Sequence, residues 1–314
     1  MKPYALIDLH CDTLTGCLEP GRYSDTMDDP EAHLSLSNLP EDTHWCQCFA
    51  IFLPDELTGN GAESFYDFHR DSFFRQTAQF SDRVTACRTA DEIEAAWASG
   101  KTAALLTVEN GSALGGQLER VETLSRDGVK AITLTWNGIN ELGSGHVSEQ
   151  GLTPFGRAVI PLMEENGILV DVSHLNDAGF YDVLDTAKRP FVATHSNART
   201  VCSHKRNLTD HQIREMVARR CLIGLNYSQW FLHDGGGASP DDLRHHVERF
   251  LELGAQDCLA LGSDFDGTVL PPWLGGPQAA AELYPLLQSW GLSANLCDKI
   301  FYRNSLDFFR RNLG

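Results

Sequence analysis

Six side chains able to hold a divalent cation stand just past short apolar runs of this sequence: His10, Asp12, Glu109, His174, His195 and Asp264. His10 and Asp12 flank Cys11, and alternation along a strand puts positions i and i+2 on one face. The imidazole and the carboxylate then converge while the thiol points away, a pairing that suits zinc or another borderline divalent ion. Glu109 closes the run Thr107-Val108-Glu109. A carboxylate directly after an apolar strand is costly to bury unpaired; a solvated loop avoids that cost, and a metal ion removes it. His174 follows Asp171-Val172-Ser173, His195 follows Ala193-Thr194, and Asp264 lies within Gly262-Ser263-Asp264-Phe265-Asp266-Gly267. Singly each signal is weak, since a lone histidine after a strand is more often a structural hydrogen-bonder. Together they collect at the same end of five strands, which is the pattern of a metal centre.

The elements that must position them are legible in the apolar patterning. Eight β-branched or apolar runs recur at residues 5–10, 46–52, 102–108, 130–135, 168–173, 190–195, 221–226 and 258–263. Near-continuous apolar strands alternating with helical segments predict βα units and a parallel sheet covered by helices. Ser239-Pro240-Asp241-Asp242 reads as an N-cap, a proline at the first helical position and acids in the first turn. Further helices are predicted from Thr209-Asp210, over 116–127, over 155–166 and over 293–309. The count predicts an α/β fold, a closed (β/α)8 barrel of TIM type spanning 1–314 as one domain, with its chemistry at the C-terminal strand ends. An open doubly wound sheet loses its main marker, because no GxGxxG follows any run. Segments 19–41 and 270–277 read as elaborated loops at the barrel mouth, and His146 sits in a Gly-rich loop able to overhang it. His211, His245 and His246 read as solvated helix positions, while His33, His44, His69, His204 and His233 have no partner visible in the sequence.

Composition narrows the function classes. With 25 Lys and Arg against 43 Asp and Glu, the 314-residue chain carries a formal charge of −18. That balance disfavours nucleic acid and anionic membrane surfaces as partners. No signal-peptide core, membrane-length apolar run or lipid-anchor tail is visible. The nine cysteines are scattered without CxxC spacing, and Cys46 and Cys48 share a strand face. Reduced, packed thiols and a cytoplasmic location are the expectation.

Taken in order, these motifs resemble the membrane (renal) dipeptidase family of zinc metallopeptidases, within the amidohydrolase-like barrels. The likeness runs from Ile7-Asp8-Leu9-His10-Cys11-Asp12 through Gly151-Leu152-Thr153-Pro154-Phe155-Gly156, Asp171-Val172-Ser173-His174 and Thr194-His195-Ser196-Asn197-Ala198. It continues through Arg206-Asn207 to Gly262-Ser263-Asp264-Phe265-Asp266-Gly267. The resemblance implies two divalent ions, most often Zn2+, with His10 and Asp12 on the first, His174 and His195 on the second, and Glu109 bridging them. It implies Asp264 as the group that moves the water proton, and Arg206 as the fork that binds a dipeptide's C-terminal carboxylate. Asn137, His146 and Tyr227 join Arg206 as candidate substrate-binding residues. The implied activity is hydrolysis of dipeptides with a free C-terminal carboxylate, including those ending in a D-residue. A small dipeptide is the implied partner, and a homodimer the default assembly. An alternative is a metal-binding or substrate-sensing barrel without turnover, or an amidohydrolase acting on a related small amide.

One position departs from the family. After Leu134-Thr135, members close to the mammalian enzyme carry a histidine that contacts the reacting carbonyl oxygen; here Trp136 and Asn137 follow. Asn137 and His146 are the candidates to replace it. Barrels bridged by a carboxylated lysine are disfavoured, since Lys130 lies at the far end of its run. Deoxyribonuclease-like barrels, which use HxH, are disfavoured by His10-Cys11-Asp12 and by the charge.

Overall fold

The computed structural model describes residues 4–16 and 26–313, so positions 19–25 of the predicted first loop lie outside the described residues. Nine strands form one parallel sheet: β1 (Ala5–Cys11), β2 (His44–Phe52), β3 (Val84–Ala86), β4 (Thr102–Glu109), β5 (Val129–Thr133), β6 (Leu169–Asp171), β7 (Val192–Ala193), β8 (Leu222–Leu225) and β9 (Leu259–Leu261). Their order is β2-β1-β9-β8-β7-β6-β5-β4, and β4 pairs back onto β2. That last pairing closes a ring of eight, the (β/α)8 barrel expected. β3 pairs with the first residues of β4 and stays outside the ring. Its three residues are too short an apolar run to stand out in the sequence.

Strands β5 to β9 are only two to five residues long, shorter than the apolar runs that announce them. The chain leaves the sheet early at these points, so the site residues stand on loops just beyond the strand ends. Below them, Ile7, Cys46, Ala103, Ala131, Val192 and Ala260 pack in the barrel interior with Phe308 and Phe309 of the terminal helix Asn304–Asn312. Burying each phenylalanine contributes roughly 2–3 kcal/mol, and together they close the lower end of the barrel. The other strand faces pack against the helices in a second apolar layer. The eight described cysteines are free and buried, Cys46 and Cys48 among them. Among the described residues, no helix is long and apolar enough to cross a membrane.

Helix starts follow their capping residues. Thr209 and Gln212 form a capping box before Asp210–Ala218, and Ser239 and Asp242 do the same before Pro240–Glu252. Thr153 caps Pro154–Glu165. The helix expected from 116 begins only at Arg120, because Gly115 and Gly116 both take positive φ ahead of it. Pro277 opens the helix Pro277–Ser289 instead of ending a loop. The predicted 293–309 helix is interrupted by a π turn at Lys299–Arg303. His246 is a correction: it is fully buried, not solvated, since it shares the inward face of its helix with Leu243, Val247 and Phe250. Its Nδ1 accepts from the Ala198 N–H at 3.1 Å, and its Nε2 donates to the Leu232 carbonyl at 3.0 Å.

Candidate metal centre

A β-bulge decides where His10 and Asp12 point. Asp8 pairs with Gln47 but Cys11 pairs with Phe49, so three residues of β1 span two of β2. Simple alternation from Ile7 would turn His10 and Asp12 toward the helices. The extra residue restores them to the barrel interior and sends Cys11 outward, as bulges do when they re-aim a side chain. Glu109 ends β4 with its side chain on the same inner face as Ala103 and Leu105. His174, His195 and Asp264 follow β6, β7 and β9. His174 and Asp264 hold the left-handed conformation, with φ of 71° and 64°, which is uncommon outside glycine and marks functional loops.

The six side chains meet. His10 Nε2 lies 3.4 Å from Asp12 Oδ2, 3.3 Å from Glu109 Oε2 and 3.9 Å from Asp264 Oδ1. On the other side, Glu109 Oε1 lies 2.6 Å from His174 Nε2 and 3.9 Å from His195 Nε2, and those two ring nitrogens are 3.0 Å apart. All six residues are buried.

The surrounding hydrogen bonds fix the tautomers. His174 Nδ1 lies 3.0 Å from the Asn137 carboxamide oxygen, which can only accept, so Nδ1 carries the proton. His195 Nδ1 lies 2.8 Å from Thr194 Oγ1, whose own proton goes to Asp171 Oδ2. Both Nε2 atoms therefore present lone pairs, and with Glu109 Oε1 they form three acceptors without a proton among them. Such a cluster repels itself unless a cation fills it. His10 Nε2 and Asp12 Oδ1 are likewise buried without a hydrogen-bond partner. Imidazole nitrogens and carboxylate oxygens are the donor set of zinc and similar ions, and Glu109 offers one oxygen to each half. The residues fit two divalent ions.

The charge states of Glu109, His174 and His195 agree with this arrangement. Burial alone would raise the Glu109 carboxyl, but His174 and His10 outweigh it and hold it well below the usual range. Burial, with Arg206 nearby, pushes His174 down to about 3. Burial also lowers His195 well below its ordinary value, and raises Asp264. Gly267 leaves room for the carboxylates, since a Cβ there would stand 2.0 Å from Asp12 Oδ2 and 2.5 Å from Asp264 Oδ1.

A cavity of about 270 Å3 opens onto this cluster, lined by Asp12, Glu109, His174 and Asp264 together with Trp136, Asn137, His146, His204, Trp230 and Phe231. Trp136 stacks edge-on against Phe52 at 4.9 Å. Burial lowers His146 to about 4, and its Nδ1 is buried without a partner. Arg206 is buried beside the cavity, 5.3 Å from the Phe231 ring, and its Nε and Nη2 have no partner. Burial brings it down to about 10, and Asp264 and Glu109 oppose that shift. Tyr227 is placed differently from expectation: it continues the outward face of Ile223 and Leu225, and its ring is buried against Phe265 at 5.9 Å, away from the cavity lining. Residues that the sequence reading passed over are Asp171, His204, Trp230 and Asn226. Asp171 accepts from Thr133, Thr194 and the Ser173 N–H, and Asn226 donates to Asp264 at 2.9 Å.

Comparison with known proteins identifies the fold and the family. A metallopeptidase of family M19, dipeptidase AC, superposes with a TM-score of 0.93 at 25% identity, covering all of both chains. A Rhodobacter sphaeroides metallopeptidase, solved with a phosphinate mimic of L-Ala-D-Ala, superposes at 0.91 with 24% identity over 99% of each chain. The dipeptidase tcpJ of Claviceps purpurea is 30% identical over 241 residues, covering 74% of this chain and 56% of its own length. The family model of the membrane dipeptidases, peptidase family M19, matches residues 1–312, and the chain belongs to that family.

Proposed function

We propose that the protein is a two-metal dipeptidase that hydrolyses dipeptides bearing a free C-terminal carboxylate. The observation that carries this reading is the proton-free set His174 Nε2, His195 Nε2 and Glu109 Oε1, with the unpartnered Arg206 guanidinium nearby. Bound by His10, Asp12 and Glu109 on one side and by Glu109, His174 and His195 on the other, divalent ions such as zinc would polarise the scissile carbonyl and acidify a nearby water. Asp264 takes the proton of the attacking water and delivers it to the leaving amine. Its burial favours the protonated form, which suits a group that carries a proton between two steps. Arg206 receives the substrate carboxylate as a fork and so sets the distance to the scissile bond. Asn137 is occupied in orienting His174, which leaves His146 to face the carbonyl oxygen in place of the histidine replaced by Trp136.

The test is direct. Protein loaded with zinc is incubated with a dipeptide panel, including C-terminal D-residues, and free amino acids are measured. Cleavage that disappears when the C-terminus is amidated supports the reading. No cleavage of any dipeptide by protein with two metal equivalents bound would favour a metal-binding barrel without turnover.

A further inference from the structure

A cavity of about 780 Å3 lies at the opposite end of the barrel from the candidate metal centre. Its lining residues Arg220 and Cys258 stand just before β8 and β9, whereas the candidate metal ligands stand at or just beyond the C-terminal ends of their strands. Five of the chain's 25 Lys and Arg line it: Arg220, Lys299, Arg303, Arg310 and Arg311. Two carboxylates, Asp257 and Asp307, accompany them. In a chain of net charge −18, this is a marked local reversal of sign.

Not all of these cations are neutralised. Lys299 pairs with Asp257 at 2.5 Å, Arg303 with Asp298 at 2.9 Å, and Arg310 with Glu94 at 2.8 Å. Among the described residues, Arg311 donates only to the Asp307 backbone carbonyl, at 3.1 Å. Among the described residues, Arg220 makes no ion pair or side-chain hydrogen bond. Both residues line this one cavity, where their charges oppose the rise that burial and Asp257 give the Cys258 thiol. Arg220 also occupies a left-handed backbone position, φ 56°, which usually falls to glycine after a helix. Lys299 and Arg303 are the two ends of the π turn, a distortion found often at functional sites.

We propose that this cavity binds a small phosphate-bearing anion, held by the guanidinium groups of Arg220 and Arg311. Planar guanidinium forks match phosphate oxygens in pairs. The volume falls within the roughly 300–1,000 Å3 range of small-molecule sites. A long polyanion is disfavoured, because the rest of the acidic surface would repel it beyond the cavity. The competing account is that Arg220, Arg310 and Arg311 only complement helix C-termini. That account predicts altered stability without a ligand.

The probe is inorganic phosphate, titrated calorimetrically into the metal-loaded full chain at low ionic strength. Saturable binding is expected for wild type and for Arg206→Gln. It should weaken at least tenfold in Arg220→Gln/Arg311→Gln, with dipeptide hydrolysis unchanged. The charge-preserving Arg311→Lys variant guards against a folding artefact and should also bind more weakly than wild type. Three results would overturn the proposal. They are no saturable binding, binding lost in Arg206→Gln but retained in the double variant, and binding equal in all variants.

Discussion

The Asn137 carboxamide oxygen and the His174 Nδ1 lie 3.0 Å apart, and this contact aims the opposite ring nitrogen at Glu109. Removing it in Asn137→Ala frees the ring, and metal affinity should fall by roughly 10–100-fold, as for other outer partners of metal-binding histidines. Asn137→Asp, which keeps an acceptor, should hold metal near wild-type strength. Competition with a chelator followed by elemental analysis reads both. Equal affinity for the alanine variant and wild type would remove Asn137 from this role.

Glu109 contributes an oxygen to each half of the centre. Glu109→Gln should therefore lower metal content at both positions, whereas Asp12→Asn should deplete chiefly one. Counting bound metal per chain after dialysis distinguishes the two. A glutamine variant that retains both ions would refute the bridging role.

Arg206 is buried with two unpartnered donor nitrogens. Truncating one partner of a buried charge pair costs about 2–5 kcal/mol, so Arg206→Ala should lower kcat/KM by roughly 30-fold or more. C-terminally amidated dipeptides should be poor substrates of both proteins and show little further loss. A uniform decline for free and amidated substrates would point to a packing role alone.

Asp264→Asn keeps the shape of the side chain but cannot carry the proton. With metal retained, kcat should fall by roughly 100-fold or more. Wild-type kcat in that variant would transfer proton movement to another group.

His246 supplies a pH signature away from the centre. Burial first, with only partial opposition from its bond to Leu232, lowers its pKa from 6.5 to about 4. Its Nδ1 already accepts from Ala198, so a second proton has no place to bond. Between pH 6.5 and 4 the unfolded chain takes up a proton that the folded chain refuses. This contribution to stability is therefore full above pH 6.5 and declines as the pH falls toward 4, by at most about 3 kcal/mol. Urea midpoints should drop less between pH 7.5 and 5 for His246→Gln than for wild type. Parallel declines would show that His246 does not carry the effect.

The barrel and its cluster of candidate ligands were readable because parallel strands must be apolar on both faces, and a polar residue at the end of such a run stands out. Glu109, His174 and His195 are legible for that reason. The bulge in β1 was not, because nothing in Ala5–Cys11 announces an extra residue; local i, i+2 spacing put His10 and Asp12 together without saying which side of the sheet they share. The helix Gly59–Gln79 escaped because its buried face mixes His69, Ser72, Gln76 and Thr77 with Tyr66 and Phe73. His246 and Tyr227 were misjudged by their polar groups, although helix and strand periodicity puts both with their apolar neighbours. Asp171 and Asn226 act through other side chains, and a network of that kind depends on contacts between distant segments.

The left-handed backbone at His174 and Asp264 sets heat tolerance against turnover. Glycine at either position would relax the chain and remove a buried group that, without metal, lies crowded among like neighbours. A selection that rewarded survival on heating alone would drift toward such variants. The hardiest descendants of this sequence would then be barrels that no longer hold their ions or no longer move the water proton, so any stabilised library needs a second screen for bound metal and for hydrolysis.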